Sequence, residues 1–216
     1  MADTQISLNS GQFADNQVAG QIIASASGCG ALRVAQTEPA SLELARAGVR
    51  FAVGQSAALT GIAPVQAMPT TAAQWVIWNP STTKSLIFEM AGLYTTAGTA
   101  GVGSTAIGAI VTLPANTSTK SGITVANLSG SSTSTVALIN SGVTVTSPAA
   151  PAWFILGRDD SANTVALNVM AFHRFLDGGL VVPPLKGLAL CAIGPTGTSP
   201  LYAPMAQWLE MELDLE

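Results

Sequence analysis

From Gln74 to the C-terminus the chain is cut into short apolar runs, each ended by Gly, Pro, Asn or Ser. Gln74-Trp75-Val76-Ile77-Trp78 stops at Asn79-Pro80-Ser81, a turn composition. In Ser85 to Thr95, Leu86, Phe88 and Met90 alternate with Ile87 and Glu89. Ile107 to Leu113, Ile123 to Leu128, Val136 to Val145, Trp153 to Leu156 and Leu185 to Ile193 have the same short, bounded form. Gly157 to Asn163 reads as a loop between Trp153–Leu156 and Thr164–Leu176, which predicts a hairpin. Asp177-Gly178-Gly179 predicts a further reversal of the chain. At the C-terminus Leu209, Met211, Leu213 and Leu215 alternate strictly with Glu210, Glu212, Asp214 and Glu216, which predicts a strand with an apolar inner face and a wet acidic one. Roughly eight to ten such strands without a convincing long helix predict an all-β fold, an antiparallel β-sandwich of jelly-roll type.

Charge is scarce. The 216 residues are only 9% charged, with eight Lys plus Arg against twelve Asp plus Glu and a net charge of −4. An average soluble domain is roughly 25% charged. The exterior must therefore be Ser, Thr, Ala and Gly, or be covered by other chains, because charge depletion marks the buried centre of protein–protein interfaces. The same arithmetic argues against nucleic acid as a partner, since no basic stripe is available for phosphate contact. No apolar run approaches the roughly 18 residues of a membrane span. The opening MADTQISLNSGQ has neither the basic nor the apolar region of a secretory signal, so synthesis in a cytoplasm is expected.

The first 36 residues are polar and rich in Gly, Ser and Gln, with one apolar patch at Ile22 and Ile23. They read as an extended N-terminal arm (1–36) with at most a short strand, preceding a sandwich domain over 37–216. Ile22 and Ile23 are its candidate anchors on a partner surface. Between Thr37 and Val53 two readings compete. Thr37-Glu38-Pro39 has the composition of a helix start, with Gly48 as its end. Val49, Phe51 and Val53 instead alternate with Arg50 and Ala52 as a strand does, and the preferred reading is a strand with an irregularity near Gly48.

Residues that carry chemistry are few. His173 is the only histidine and shares a predicted strand face with Ala171 and Phe175, which favours a structural role over a catalytic base. No G-x-S-x-G elbow presents a serine. Gly101-Val102-Gly103-Ser104-Thr105-Ala106 has the glycine spacing of a dinucleotide fingerprint. It lacks the acidic residue expected about 20 positions on, because no Asp or Glu occurs between Glu89 and Asp159. Cys29 and Cys191 are too far apart in sequence for a compact metal motif and read as small buried hydrophobes. Along the terminal acidic face successive carboxylates lie roughly 6.5–7 Å apart, too far for neighbours to chelate one ion. Glu210, Glu212, Asp214 and Glu216 are thus interface candidates under three readings: a solvated face, a contact with a basic partner surface, or a cation site on a symmetry axis. Asp159-Asp160 reads as a turn, and Trp75, Trp78, Trp153 and Trp208 read as core or interface rather than a sugar-stacking platform. No catalytic residue, cofactor site or metal site is expected.

Three segments occur in a suggestive order. Ala67-Met68-Pro69-Thr70-Thr71-Ala72 leads into Trp75-Val76-Ile77-Trp78-Asn79-Pro80 and Lys84-Ser85-Leu86-Ile87-Phe88-Glu89. Asp177-Gly178-Gly179-Leu180-Val181-Val182-Pro183-Pro184 precedes Leu188-Ala189-Leu190, and Trp208-Leu209-Glu210 opens the closing strand. This order, over residues 60–216, resembles structural proteins of tailed-bacteriophage heads and other virion surface jelly rolls. The resemblance implies a non-enzymatic capsid decoration (cement) protein. Such a protein is typically a homotrimer whose N-terminal arm spreads over the major capsid protein, on the capsid surface of the virion. The alternative is a receptor- or glycan-binding module, such as a head fibre or adhesin tip, which exposed tryptophans would favour.

Overall fold

The computed structural model describes residues 6–9, 21–26, 32–34, 44, 47–70, 72–98, 103–112, 122–130, 132–145, 151–159, 171–194 and 200–213. The chain divides into two units, Met1–Glu43 and Leu44–Glu216. The first contains β1 (Ile6–Asn9), β2 (Gln21–Ala26) and β3 (Leu32–Val34), an antiparallel sheet with β2 in the middle, so residues 1–36 hold three paired strands where the polar composition predicts at most a short one. Ile22 and Ile23 lie on β2, opposite Leu8 and Ser7.

The second unit is a two-sheet sandwich of ten strands. They are β4 (Arg50–Gln55), β5 (Ala72–Trp78), β6 (Lys84–Ala97), β7 (Ser104–Val111), β8 (Ile123–Asn127), β9 (Leu138–Thr144), β10 (Phe154–Asp159), β11 (Ala171–Val182), β12 (Gly187–Ile193) and β13 (Leu201–Glu212). One sheet has the order β10-β7-β12-β5-β9, the other β11-β6-β13-β4-β8, and every pairing is antiparallel. No two of these ten strands that are consecutive in sequence pair with each other. The chain instead crosses between the sheets at nearly every connection, as a double-sheet jelly roll does. The all-β sandwich expected from the punctuated apolar runs is the observed fold.

The core fills the space between the sheets. Trp75, Ile77, Leu188 and Leu190 come from the first sheet and meet Phe51, Leu86, Phe88, Leu93 and Trp208 from the second. Trp208 lies near Phe51, at 6.4 Å between ring centroids, and Phe88, at 5.9 Å. The other face of the first sheet is also apolar and buried, through Val76, Trp78, Ile107, Ala109, Val111, Ala189 and Cys191. A strand buried on both faces reads as a continuous apolar run, and that is why Trp75–Trp78 and Leu188–Ile193 show no alternation.

Asn79 ties two turns together at one end of the sandwich. Its side chain is fully buried and its Nδ2 donates to the carbonyls of Lys84, at 2.7 Å, and Pro183, at 3.2 Å. Its backbone N–H donates to Lys186 O and its own carbonyl accepts from Leu185 N–H. The asparagine turn and the Val-Pro-Pro segment, a hundred residues apart in sequence, are one hydrogen-bonded unit in space.

Several sequence expectations are corrected. Trp153–Leu156 and Thr164–Leu176 do not form a hairpin: β10 and β11 belong to different sheets. Asp177-Gly178-Gly179 does not reverse the chain either. Asp177 and Gly178 take turn-like positive φ values of 46° and 77°, yet β11 continues antiparallel to β6 beyond them. The closing strand begins at Leu201 rather than Trp208. Its phase is inverted where the acidic alternation starts: Trp208 and Glu210 face inward, whereas Leu209 lines a groove on the opposite face. Trp208 has more apolar surface to bury than Leu209, and in a strand its choice of face fixes that of Glu210. Leu213 lies just past the strand end and is only half-buried. Of the ambiguous Thr37–Val53 stretch, 37–43, 45 and 46 lie outside the described residues. Leu44 has a helical backbone, Gly48 sits at φ 69°, and the strand starts at Arg50.

Candidate functional site

The sequence-nominated acidic face separates into different environments. Glu210 is 3% exposed, inside the sandwich. Its carboxylate accepts from Val136 N–H with both oxygens, at 3.1 Å each, from Trp208 Nε1 at 3.1 Å, and from the Thr135 hydroxyl. Four acceptor sites meet three donors, so the carboxylate is satisfied by hydrogen bonds without a cation partner in these contacts. It holds the segment that crosses from β8 in one sheet to β9 in the other. The expected wet face is therefore wrong for Glu210, which is a structural anchor. Glu212 is exposed and, among the described residues, accepts from the Thr83 hydroxyl at 3.4 Å. Asp214 and Glu216 lie outside the described residues, as do Cys29 and Asp160, and so do the side chains of Ile22 and Ile23. Among the described residues no group of three or more His, Cys, Asp or Glu is placed to hold a metal ion.

Trp75 and Trp208 are fully buried and Trp78 is 8% exposed, while the part-buried Trp153 donates its Nε1 to Pro69 O at 2.8 Å. A tryptophan platform for sugars does not exist among them. Ser104, Thr105 and Ala106 lie within β7, so the glycine-spaced segment leads into a strand and not into a phosphate-binding helix. Gln74 performs a different job. Its Nε2 donates to Ala63 O and its Oε1 accepts from Ala192 N–H, at 2.5 Å, filling the gap where β5 leaves β12 and the Val65 segment takes over the pairing.

Cys191 is a free, buried thiol on β12. Burial pushes its pKa from the ordinary 9.0 up to about 11, against the smaller opposing effect of the Gln74 N–H that donates to Sγ. The thiol is therefore held protonated and unreactive. Native protein is expected to resist a thiol-alkylating reagent that labels Cys191 readily in denaturant. The folded pKa exceeds the unfolded one, so this group's contribution to stability is intact below pH 9.0 and declines as pH rises toward about 11. Labelling of Cys191 in native protein at the rate of an exposed thiol would contradict this placement.

The most differentiated surface lies on the outer face of the second sheet, where β6 is irregular. Between Phe88 and Met90, Glu89 has no partner on β13, where Gln207 and Trp208 are consecutive. On its other side the pairing jumps from Phe175↔Met90 to Leu180↔Phe88, so four residues of β11 bulge opposite Glu89 alone. Bulges re-aim side chains, and this one shifts the phase of β6. Leu86 and Phe88 face the core before it, Ala91 and Leu93 after it, and Met90 turns outward with Glu89. Met90 was expected to share the face of Leu86 and Phe88, and the bulge is why it does not.

A groove of about 310 Å³ opens at this point, with Met90 and Leu209 among its lining residues. Arg50 donates from Nε to Glu89 Oε2 at 2.7 Å, a half-buried ion pair. Gln207, Phe175, Asp177 and Gly178 complete the lining. Phe175 is 67% exposed and its ring is perpendicular to that of His173, with 5.3 Å between centroids and 88° between planes. His173 is itself exposed on the edge strand β11, whereas Cys191 is buried in the other sheet, so the two do not form a catalytic pair. Sequence reading missed this groove because its residues come from β4, β6, β11 and β13 and share no motif. Its one legible trace in the sequence is Asp177-Gly178, whose composition predicts a turn.

Comparison with known proteins gives no matching family, no similar curated protein and no similar solved structure.

Proposed function

We propose that the chain is a non-enzymatic structural protein of a bacteriophage virion, a capsid decoration or cement protein that binds and stabilises the head as a homo-oligomer. The observation that carries this reading is an exterior poor in charge with large apolar side chains exposed on it. Only 9% of residues are charged, and Ile155, Met68, Leu185 and Leu128, away from the groove, stand 61%, 55%, 50% and 42% exposed. Exposed apolar side chains on a surface poor in charge favour coverage by other chains. The partners in this reading are further copies of the chain, as a homotrimer, and the major capsid protein, on the capsid surface after synthesis in the host cytoplasm. Nucleic acid and membrane are not partners in it. The burial of three of the four tryptophans removes the feature that would have favoured a tryptophan-based glycan-binding module.

Two measurements test the proposal. Light scattering of the purified chain is expected to give a mass well above 21.8 kDa, with a threefold multiple for a trimer. Residues 1–36 contain few large apolar side chains and carry β1–β3, a small sheet with little core of its own to offset the roughly 1–2 kcal/mol per residue of ordering entropy, so contact with a partner surface favours it. Deleting them is expected to leave the oligomer folded and to weaken co-sedimentation with assembled heads severely. A soluble monomer that never copurifies with particles would overturn the reading.

A further inference from the structure

We propose that the groove at the β6–β11 bulge is a binding site for the face and rim of a neutral sugar ring. Three observations select this ligand class. The first is the mixture of hydrogen-bonding groups. Arg50 engages Glu89 through Nε, and among the described residues the two terminal nitrogens of the guanidinium have no acceptor, which makes them a donor fork. Asp177 offers an exposed carboxylate, and Gln207 offers one donor and one acceptor group, with no hydrogen bond from either to another described residue. A purely anionic ligand would meet Glu89 and Asp177, and a purely cationic one would meet Arg50. A ring of vicinal hydroxyls, each both donor and acceptor, matches all of these groups at once.

The second observation is Phe175. Its ring is two-thirds exposed at the groove and lies perpendicular to that of His173, so it offers an accessible aromatic surface. The negative face of an aromatic ring attracts polarised C–H groups, and a sugar presents a row of them on one side. The third is the backbone that sets the groove. Asp177 is one of only two described non-glycine residues with positive φ, at 46°, and the Gly178 beside it, at 77°, lets the bulge fold over. Strained residues of this kind concentrate at ligand-binding positions. The groove volume, about 310 Å³, falls at the lower end of small-molecule sites and suits one or two rings rather than a long polymer.

The test is an amide-resonance titration of the full chain with the methyl glycosides of glucose, galactose and mannose and with N-acetylglucosamine. At least one of these is expected to shift the amides of residues 174–178 and 207–209 saturably, with a dissociation constant in the millimolar range. Phe175→Ala and Gln207→Ala are each expected to weaken it at least about tenfold, equivalent to about 1.4 kcal/mol. Ile155→Ala, an equally exposed apolar residue on β10, is expected to leave it unchanged. Both side chains under test lie outside the core, so a native amide spectrum of each variant separates lost binding from lost fold. The proposal is overturned if no saccharide saturates the site or if Phe175→Ala binds as tightly as the parent. It is equally overturned if the same amides respond instead to a lysine-containing peptide or to inorganic phosphate.

Discussion

Replacing Glu210 by Ala is expected to destabilise the sandwich by about 3–5 kcal/mol, whereas Glu212→Ala is expected to change stability by under about 0.5 kcal/mol. The two glutamates are two residues apart on one strand, yet only Glu210 is buried. Its removal leaves Val136 N–H, Trp208 Nε1–H and the Thr135 hydroxyl without their acceptor. Each buried donor left unsatisfied costs about 1–3 kcal/mol, partly relieved where water reaches the new space. Glu210→Gln keeps one oxygen acceptor but turns an NH2 toward the same donors, so an intermediate loss is expected. Denaturant midpoints of the three variants decide the matter. Equal, small effects at 210 and 212 would return the residue to the solvated face that the alternating sequence suggests.

Trp208→Ala is expected to cost about 3–5 kcal/mol, the range for deleting a buried aromatic side chain. Trp208 is fully buried, stacks against Phe51 and meets Phe88, so its loss opens a cavity at the centre of the second sheet's inner face. It also takes one donor away from Glu210. Because the two residues share that bond, the double variant Trp208→Ala with Glu210→Ala is expected to lose less than the sum of the single losses. Trp208→Phe should retain most of the packing while still removing the donor. Thermal or denaturant unfolding of the four variants completes the cycle, and strict additivity would show that the Trp208–Glu210 contact contributes nothing.

The period-two alternation, the short runs and their Gly, Pro and Asn boundaries are local signals, and they led directly to an all-β sandwich. β5, β7, β8, β9 and β12 each fall within a few residues of the runs that predicted them. Pairing is another matter. No two consecutive strands of the sandwich are neighbours, so the partner of every strand lies beyond the reach of turn chemistry, and loop closure must come before any contact is made. That is why Trp153–Leu176 reads as a hairpin and is instead a crossover between sheets.

Facing was decided at the same level. The terminal strand offers two faces, one of leucines and methionine, the other of carboxylates, and elementary burial chooses the first. The tertiary structure chooses the second at Glu210, because Trp208 claims the core and the β8–β9 crossover supplies donors for the carboxylate that follows it. Asp177-Gly178 likewise specified a local turn conformation, and the structure used it as a bulge within one strand. The sequence by itself determined which segments are strands and that their exterior would be short of charge, because backbone periodicity and composition are local properties. Only the tertiary structure decided which strands pair, which face Glu210 occupies and where Arg50, Glu89, Phe175, Asp177 and Gln207 converge, because each depends on contacts between residues distant in the chain.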